Sequence, residues 1–201
     1  MDELEKNQRH KERMQRKKAA IDASIAQANQ EKGVLVLLTG NGKGKSSSAF
    51  GMVARALGHG MKVGVAQFIK SRTDTGEEAF FSKQNNVEWH VLGDGFTWDT
   101  QDRAQDIATS ERGWRIAEKM LADPSYNLVV LDEITYLINY KYLDAERVYD
   151  ALEHRPFMQH VVVTGRAASA ELRDLADTVS EINDEKHAYR AGVQAQKGVD
   201  L

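Results

Sequence analysis

The chain has 201 residues, a formal net charge of −3 and no cysteine. That length suits one domain with a sizeable core, and the missing cysteine excludes disulfides, thiolate catalysis and cysteine-ligated metal. The charge balance points to neither a polyanion nor an anionic membrane surface as partner. No apolar run reaches membrane-spanning length and the N-terminus lacks a signal-peptide core, so a cytoplasmic protein is expected.

Residues 1–32 are a compositional zone of their own, rich in Lys, Arg, Glu and Gln, with sparse apolar residues at Leu4, Met14, Ile21 and Ile25. The composition favours helix, but the apolar stripe is too thin to dock along its whole length. The basic cluster from Arg9 to Lys18 reads first as a solvated helix face. Contact with nucleic acid, or an arm folding over a ligand, are the alternatives.

Val34 to Leu38 is a short apolar run of the kind found in buried parallel strands. It leads into Thr39-Gly40-Asn41-Gly42-Lys43-Gly44-Lys45-Ser46-Ser47, and a helix is expected over 45–57. Glycines there let successive backbone N–H groups converge on an anion, and the helix N-terminus adds its positive end. Lys45 brings a point charge, and the Ser46 hydroxyl is placed to ligate Mg²⁺. The pattern is a phosphate-binding loop with one departure. The usual first glycine falls on Thr39, and glycines stand at 40, 42 and 44 instead. That departure bears on nucleotide orientation rather than on phosphate binding.

Arg55 lies on the first helix, which Gly58-His59-Gly60 closes. Strands are expected at 63–69 and 87–92, with a polar loop from 71 to 76 and a helix over 77–84 between them. Gly93 to Thr100 places Phe96 and Trp98 in a loop at the carboxyl end of a strand, where α/β sheets bind ligands. As core plugs or as ligand-facing aromatics, these two residues are read with equal weight. A helix follows over 102–122, and then Leu128-Val129-Val130-Leu131-Asp132-Glu133, an apolar strand ending in two acids. Downstream of a phosphate loop, such carboxylates can hold Mg²⁺ directly or through water. Residues 134–142 are expected to cover the sheet, and Asp144 to cap a helix over 145–154. His160 to Arg166 is another buried strand with a glycine turn. Arg166 is read either as a phosphate contact or as a surface ion-pair residue. Ser169 starts a helix through Ala176, 178–182 is the last strand, and 183–201 carries no pattern.

Alternating helices and parallel-type strands give an α/β, P-loop NTPase-like (RecA-like) fold, with a mainly parallel sheet flanked by helices. Residues 33–201 are expected to form that single domain, with 1–32 as a charged helical arm. From these residues alone, three chemistries compete: a P-loop ATPase acting on nucleic acid, a small-molecule kinase, and transfer of another part of ATP with the phosphates as leaving group.

The segments TGNGKGKS, RALGHG, GFTWDTQ, VVLDEITY, VVVTGR, LADTVSE and AGVQAQKGVDL together resemble the ATP:corrinoid adenosyltransferases of cobalamin synthesis and salvage. The resemblance runs in order through nearly the whole chain. It implies attack of a corrinoid's cobalt(I) on C5′ of ATP, release of triphosphate, and a nucleotide reversed in its loop. It further implies Gly40 to Ser47 and Lys45 on the phosphates, Mg²⁺ or Mn²⁺ on Ser46 and Glu133 with Asp132 beside them, and Arg55 near the nucleotide. Phe96 and Trp98 would face the lower side of the corrin and exclude an axial ligand. A homodimer and a reduced flavodoxin-type electron donor are implied partners; nucleic acid and membrane are not.

Overall fold

The computed structural model describes residues 3–69, 75–93 and 102–200. Phe96 and Trp98 lie outside the described residues. The chain forms two compact units, Met1–Lys32 and Gly33–Leu201.

The first unit is a single helix, α1 (Glu3–Gln27), with no buried residue. Leu4, Ile21 and Ile25 are all exposed, as the thin apolar stripe leads one to expect. Pairs one turn apart, such as Lys18 with Asp22 at 2.6 Å, contribute only a few tenths of a kcal/mol each.

The second unit runs β1 (Leu35–Thr39), α2 (Lys45–Gly58), β2 (Val63–Gln67), α3 (Gly76–Phe81), β3 (Val87–Val91), α4 (Arg103–Ala122), β4 (Leu128–Asp132), α5 (Ile134–Asn139), α6 (Ala145–Glu153), β5 (His160–Thr164), α7 (Ala170–Leu175) and β6 (Thr178–Glu181). A 3₁₀ turn follows at Ala188–Ala191. The strands form one sheet in the order β3-β2-β4-β5-β1-β6, and every pairing is parallel.

Both faces of the central strands are covered, and alternate residues feed two cores. Val129 and Leu131 join Leu35, Leu37, Trp114, Val148, Leu152 and Leu172 on the face of α4, α6 and α7. Leu128 and Val130 join Val63, Val65, Phe50 and Phe81 on the face of α2 and α3. Burial on both sides is why these strands read as unbroken apolar runs. Helix starts are fixed by side chains that accept backbone N–H bonds: Asp102 for α4, Asp144 for α6 and Ser169 for α7.

Two boundaries fall short of the sequence expectation by more than one residue. The strand expected to reach residue 69 stops at Gln67, because Ile69 turns to a left-handed φ of 68°. The helix expected over 77–84 is Gly76–Phe81, capped by the Thr75 hydroxyl.

The displaced glycines of the loop after β1 have a packing origin. The chain leaving β6 crosses this loop: Ile182 N–H donates to the Thr39 carbonyl at 2.8 Å, and Gly42 N–H donates to the Ile182 carbonyl at 2.7 Å. A Cβ at Gly40 would stand 2.5 Å from the Ile182 carbonyl oxygen, and one at Gly42 would stand 2.5 Å from that of Asn183. Gly40 and Gly44 also hold φ of 98° and 122°, a region that glycine enters without penalty. Gly42→Ala therefore forces backbone against backbone. A loss of roughly 1–3 kcal/mol in urea unfolding is expected, together with faster proteolysis after residue 183. Unchanged stability and cleavage would show that the crossing segment is not seated on the loop.

Candidate active site

The loop between β1 and α2 opens at the carboxyl end of the sheet, where α/β folds place ligands. It walls a cavity of about 220 Å³ that is also lined by Glu133, Arg166, His187 and Asp200. Asn41, Gly42, Lys43, Gly44, Lys45, Ser46 and Ser47 all contribute to the wall. Gly40 does not line it; its place is the turn out of β1.

Lys45 is the best-buried charged group there, 6 % exposed. Its Nζ donates to the Gly42 carbonyl at 2.7 Å, which folds the loop around its own ammonium. Burial pushes the Lys45 pKa down, and the Glu133 carboxylate opposes that shift. A polyanion in the cavity would favour the charged form further.

The two acids after β4 are held very differently. The Asp132 side chain is fully buried. Its Oδ1 accepts from the Thr164 hydroxyl at 2.7 Å, and its Oδ2 from Gln67 Nε2 at 3.1 Å. Gln67 Oε1 in turn accepts from the Trp89 indole N–H at 3.1 Å. One polar line thus crosses β3, β2, β4 and β5. Glu133 sits just beyond, at a left-handed φ of 64°. Its backbone N–H donates to the Thr164 hydroxyl at 2.9 Å, and its side chain reaches the cavity. Of the two acids, Glu133 presents itself to a ligand, while Asp132 fixes the strand end that Glu133 leaves.

Arg166 follows the glycine turn after β5. Its carbonyl accepts from Thr135 Oγ1 at 2.8 Å and from Asn139 Nδ2 at 3.3 Å, and the residue lines the cavity. Arg55 does not join it. Ten residues into α2 from Lys45, it stands about 15 Å further along the axis at 1.5 Å per residue. There it lines a separate apolar cavity with Val34, Leu128 and His160 at the opposite end of the sheet. Within this chain, the length of its own helix holds Arg55 apart from the phosphate cavity.

Four residues escaped the sequence reading. Glu77 at the start of α3 lines the cavity, and so do His187, Val199 and Asp200 from the patternless C-terminal stretch. The glycines at 40 and 42 were the available signal, since glycine can mark close approach of another backbone.

Phosphate-loop geometry after the first strand, with an acid pair on a parallel neighbour, defines an α/β protein of the P-loop class. The family described as ATP:corrinoid adenosyltransferase BtuR/CobO/CobP matches residues 31–201, and that described as cob(I)alamin adenosyltransferase N terminal matches residues 1–25. A corrinoid adenosyltransferase of Pseudomonas aeruginosa is 59 % identical over 198 residues, covering 98 % of each chain. One from Escherichia coli K12 is 48 % identical over 194 residues, covering 96 % of this chain and 98 % of its own. One from a Sinorhizobium species is 43 % identical over 196 residues, covering 96 % and 92 %. The chain belongs to the ATP:corrinoid adenosyltransferase family and is a transferase; nothing found favours an ATPase acting on nucleic acid.

Thr164 is the hinge of the acid pair, donating to Asp132 and accepting from Glu133. Thr164→Val strands both partners and should lower unfolding free energy by about 2–4 kcal/mol. Thr164→Ser, which keeps the hydroxyl, should stay within about 1 kcal/mol of the parent. Equal losses for the two would mean that the methyl, not the hydroxyl, is what the site needs.

Proposed function

We propose that this enzyme transfers the 5′-deoxyadenosyl group of ATP to the cobalt(I) of a reduced corrinoid, in adenosylcobalamin synthesis or salvage. The observation that carries the phosphate half of this reading is the buried Lys45 folded into a glycine loop that faces Glu133 and Arg166 across one cavity.

The electron pair of the substrate's cobalt(I) forms the bond to C5′. The C5′–O bond breaks, its electron pair leaves on triphosphate, and the cobalt is formally oxidised to cobalt(III). Negative charge accumulates on the departing oxygen, so the chain's task is to stabilise a triphosphate more strongly as it leaves than while it is attached. Loop amides from Lys43 to Ser46 and the Lys45 ammonium supply fixed positive ends for it, the Gly42 N–H being spent on Ile182, and Arg166 adds a fork-shaped donor from the opposite wall. A triphosphate that remains held cannot carry the adenosyl group away before attack.

The donor set in the cavity fits a hard divalent cation. Ser46 offers a hydroxyl and Glu133 a carboxylate, both hard oxygen donors. Among the described residues no group of three His, Cys, Asp or Glu could hold a metal. The remaining positions would therefore fall to triphosphate and water, as Mg²⁺ commonly arranges. Ser46 and Glu133 would hold Mg²⁺ or Mn²⁺, which supplies further neutralisation of the leaving group. Asp132 acts behind them through its bonds to Thr164 and Gln67.

Phe96 and Trp98 carry the corrinoid half by resemblance. An apolar ring pressed against the lower face of the corrin removes an axial donor, leaving cobalt(II) easier to reduce by a flavodoxin-type donor. The enzyme works as a cytoplasmic homodimer.

Purified protein with Mg-ATP and cobalamin reduced to cobalt(I), kept dark and free of oxygen, should give a light-sensitive alkylcobalamin and one equivalent of triphosphate. Diphosphate or orthophosphate with an unchanged corrinoid would replace this reading with ordinary phosphoryl chemistry. Phe96→Ala should slow adenosylation starting from cobalt(II) at least tenfold more than from pre-formed cobalt(I). Equal slowing from both states would remove the exclusion role.

A further inference from the structure

The C-terminal stretch after β6 is bound to the phosphate cavity yet hardly packed. None of residues 183–200 is buried. It passes over three separate voids: the phosphate cavity of about 220 Å³, one of about 260 Å³ beneath Tyr189 and Val193, and one of about 360 Å³ between Val199 and α3. A segment with few buried contacts lies at the low end of local stability. What holds it is polar. Asp200 Oδ1 meets Lys43 Nζ at 2.9 Å, with the two side chains 28 % and 43 % exposed. Asp200 Oδ2 accepts from the Gln196 N–H at 3.0 Å.

Two features of this stretch concern an anion. First, Asp200 places a carboxylate on a loop lysine at the mouth of the cavity, where a polyphosphate oxygen has the same charge and acceptor chemistry. Carboxylate and phosphate cannot both hold Lys43 without repelling each other. Second, His187 lines the same cavity, and its Nδ1 accepts from the Tyr189 N–H at 3.2 Å. With Nδ1 committed as acceptor, the ring hydrogen stands on Nε2, so the imidazole has a donor to offer.

We propose that residues 183–200 form a displaceable wall of the triphosphate site, in which Asp200 occupies Lys43 until a polyphosphate takes its place and His187 then donates to that polyphosphate. The inference rests on the phosphate half of the reading above and adds two ligand-responsive residues to it. His187 touches the substrate; Asp200 is a competitor that the substrate displaces. Exchange of one anion for another keeps Lys43 paired in the free enzyme and in the bound one.

The test is isothermal titration of inorganic triphosphate into the full-length protein. Wild type is compared with His187→Ala, His187→Gln and Asp200→Asn, each checked for folding by its thermal transition. His187→Ala should weaken binding about tenfold, the usual scale of one hydrogen bond to a charged group. His187→Gln, which keeps a donor, should recover most of that loss. Asp200→Asn should bind three- to tenfold tighter, because the competing carboxylate is gone. Opposite signs from two residues of one segment cannot arise from a merely structural role, which would weaken both. If His187→Ala matches wild type, or His187→Gln is as weak as His187→Ala, the donor role is overturned. If Asp200→Asn is unchanged or weaker, the displaced-carboxylate role is overturned. Failure of the wild type to bind triphosphate at all would instead overturn the phosphate-site reading, and this inference with it.

Discussion

The site depends on one buried carboxylate. Asp132 has no contact with solvent and sits at the end of the central strand β4, held by Thr164 from β5 and Gln67 from β2. A carboxylate in such a place is tolerable only when its oxygens are met by well-placed donors. Meeting them fixes the relative height of three neighbouring strand ends. The same Thr164 hydroxyl then takes the Glu133 N–H and supports a left-handed residue that costs about 1–2 kcal/mol by itself. Without that support the chain would leave β4 in another direction and the Glu133 carboxylate would not face Lys45. Asp132 thus acts on the ligand site through the backbone of its neighbour.

This arrangement separates two acids that look equivalent in sequence. An apolar strand ending in Asp-Glu says that carboxylates emerge near the phosphate loop. It cannot say which one is used up in holding the sheet together. That answer needs the partners, and these lie 65 residues upstream at Gln67 and 32 residues downstream at Thr164. Neither partner carries a local mark, because a lone Gln or Thr at the end of an apolar run reads simply as the strand's polar terminus.

What was legible follows the same division. The four inner strands could be read because parallel strands buried on both faces are continuous apolar runs, and the caps at Asp144 and Ser169 because capping is local chemistry. How far Arg55 stands from the phosphate cavity was not legible in the motif: similarity carries no distance, whereas ten helical residues do. The C-terminal wall was illegible for a deeper reason. Its residues have no apolar period, since they bury nothing; Ile182, just before them, bonds by its backbone to Thr39 and Gly42, and an ion pair from Asp200 reaches Lys43. The trace they leave lies in the loop they cross, as the glycines at 40 and 42.

Those glycines connect fold to function. Ordinary phosphate loops place glycine where the backbone must wrap the ligand; here two of three stand where another strand's exit must pass within a van der Waals contact. The loop is therefore clamped from one side by backbone and left, on the other, to a segment held by exposed charges. The clamped side has apolar core beneath it and a buried polar line across four strands, so it keeps the amides and Lys45 in place through a catalytic cycle. The charged side is bound by exposed pairs of the kind worth at most about 1 kcal/mol. An anionic substrate with several oxygens outcompetes such a pair, and a departing product lets it re-form. An enzyme that must grip triphosphate during bond breaking and then release it is served by that asymmetry: a rigid floor that recognises phosphate, and a wall weak enough to be exchanged for it.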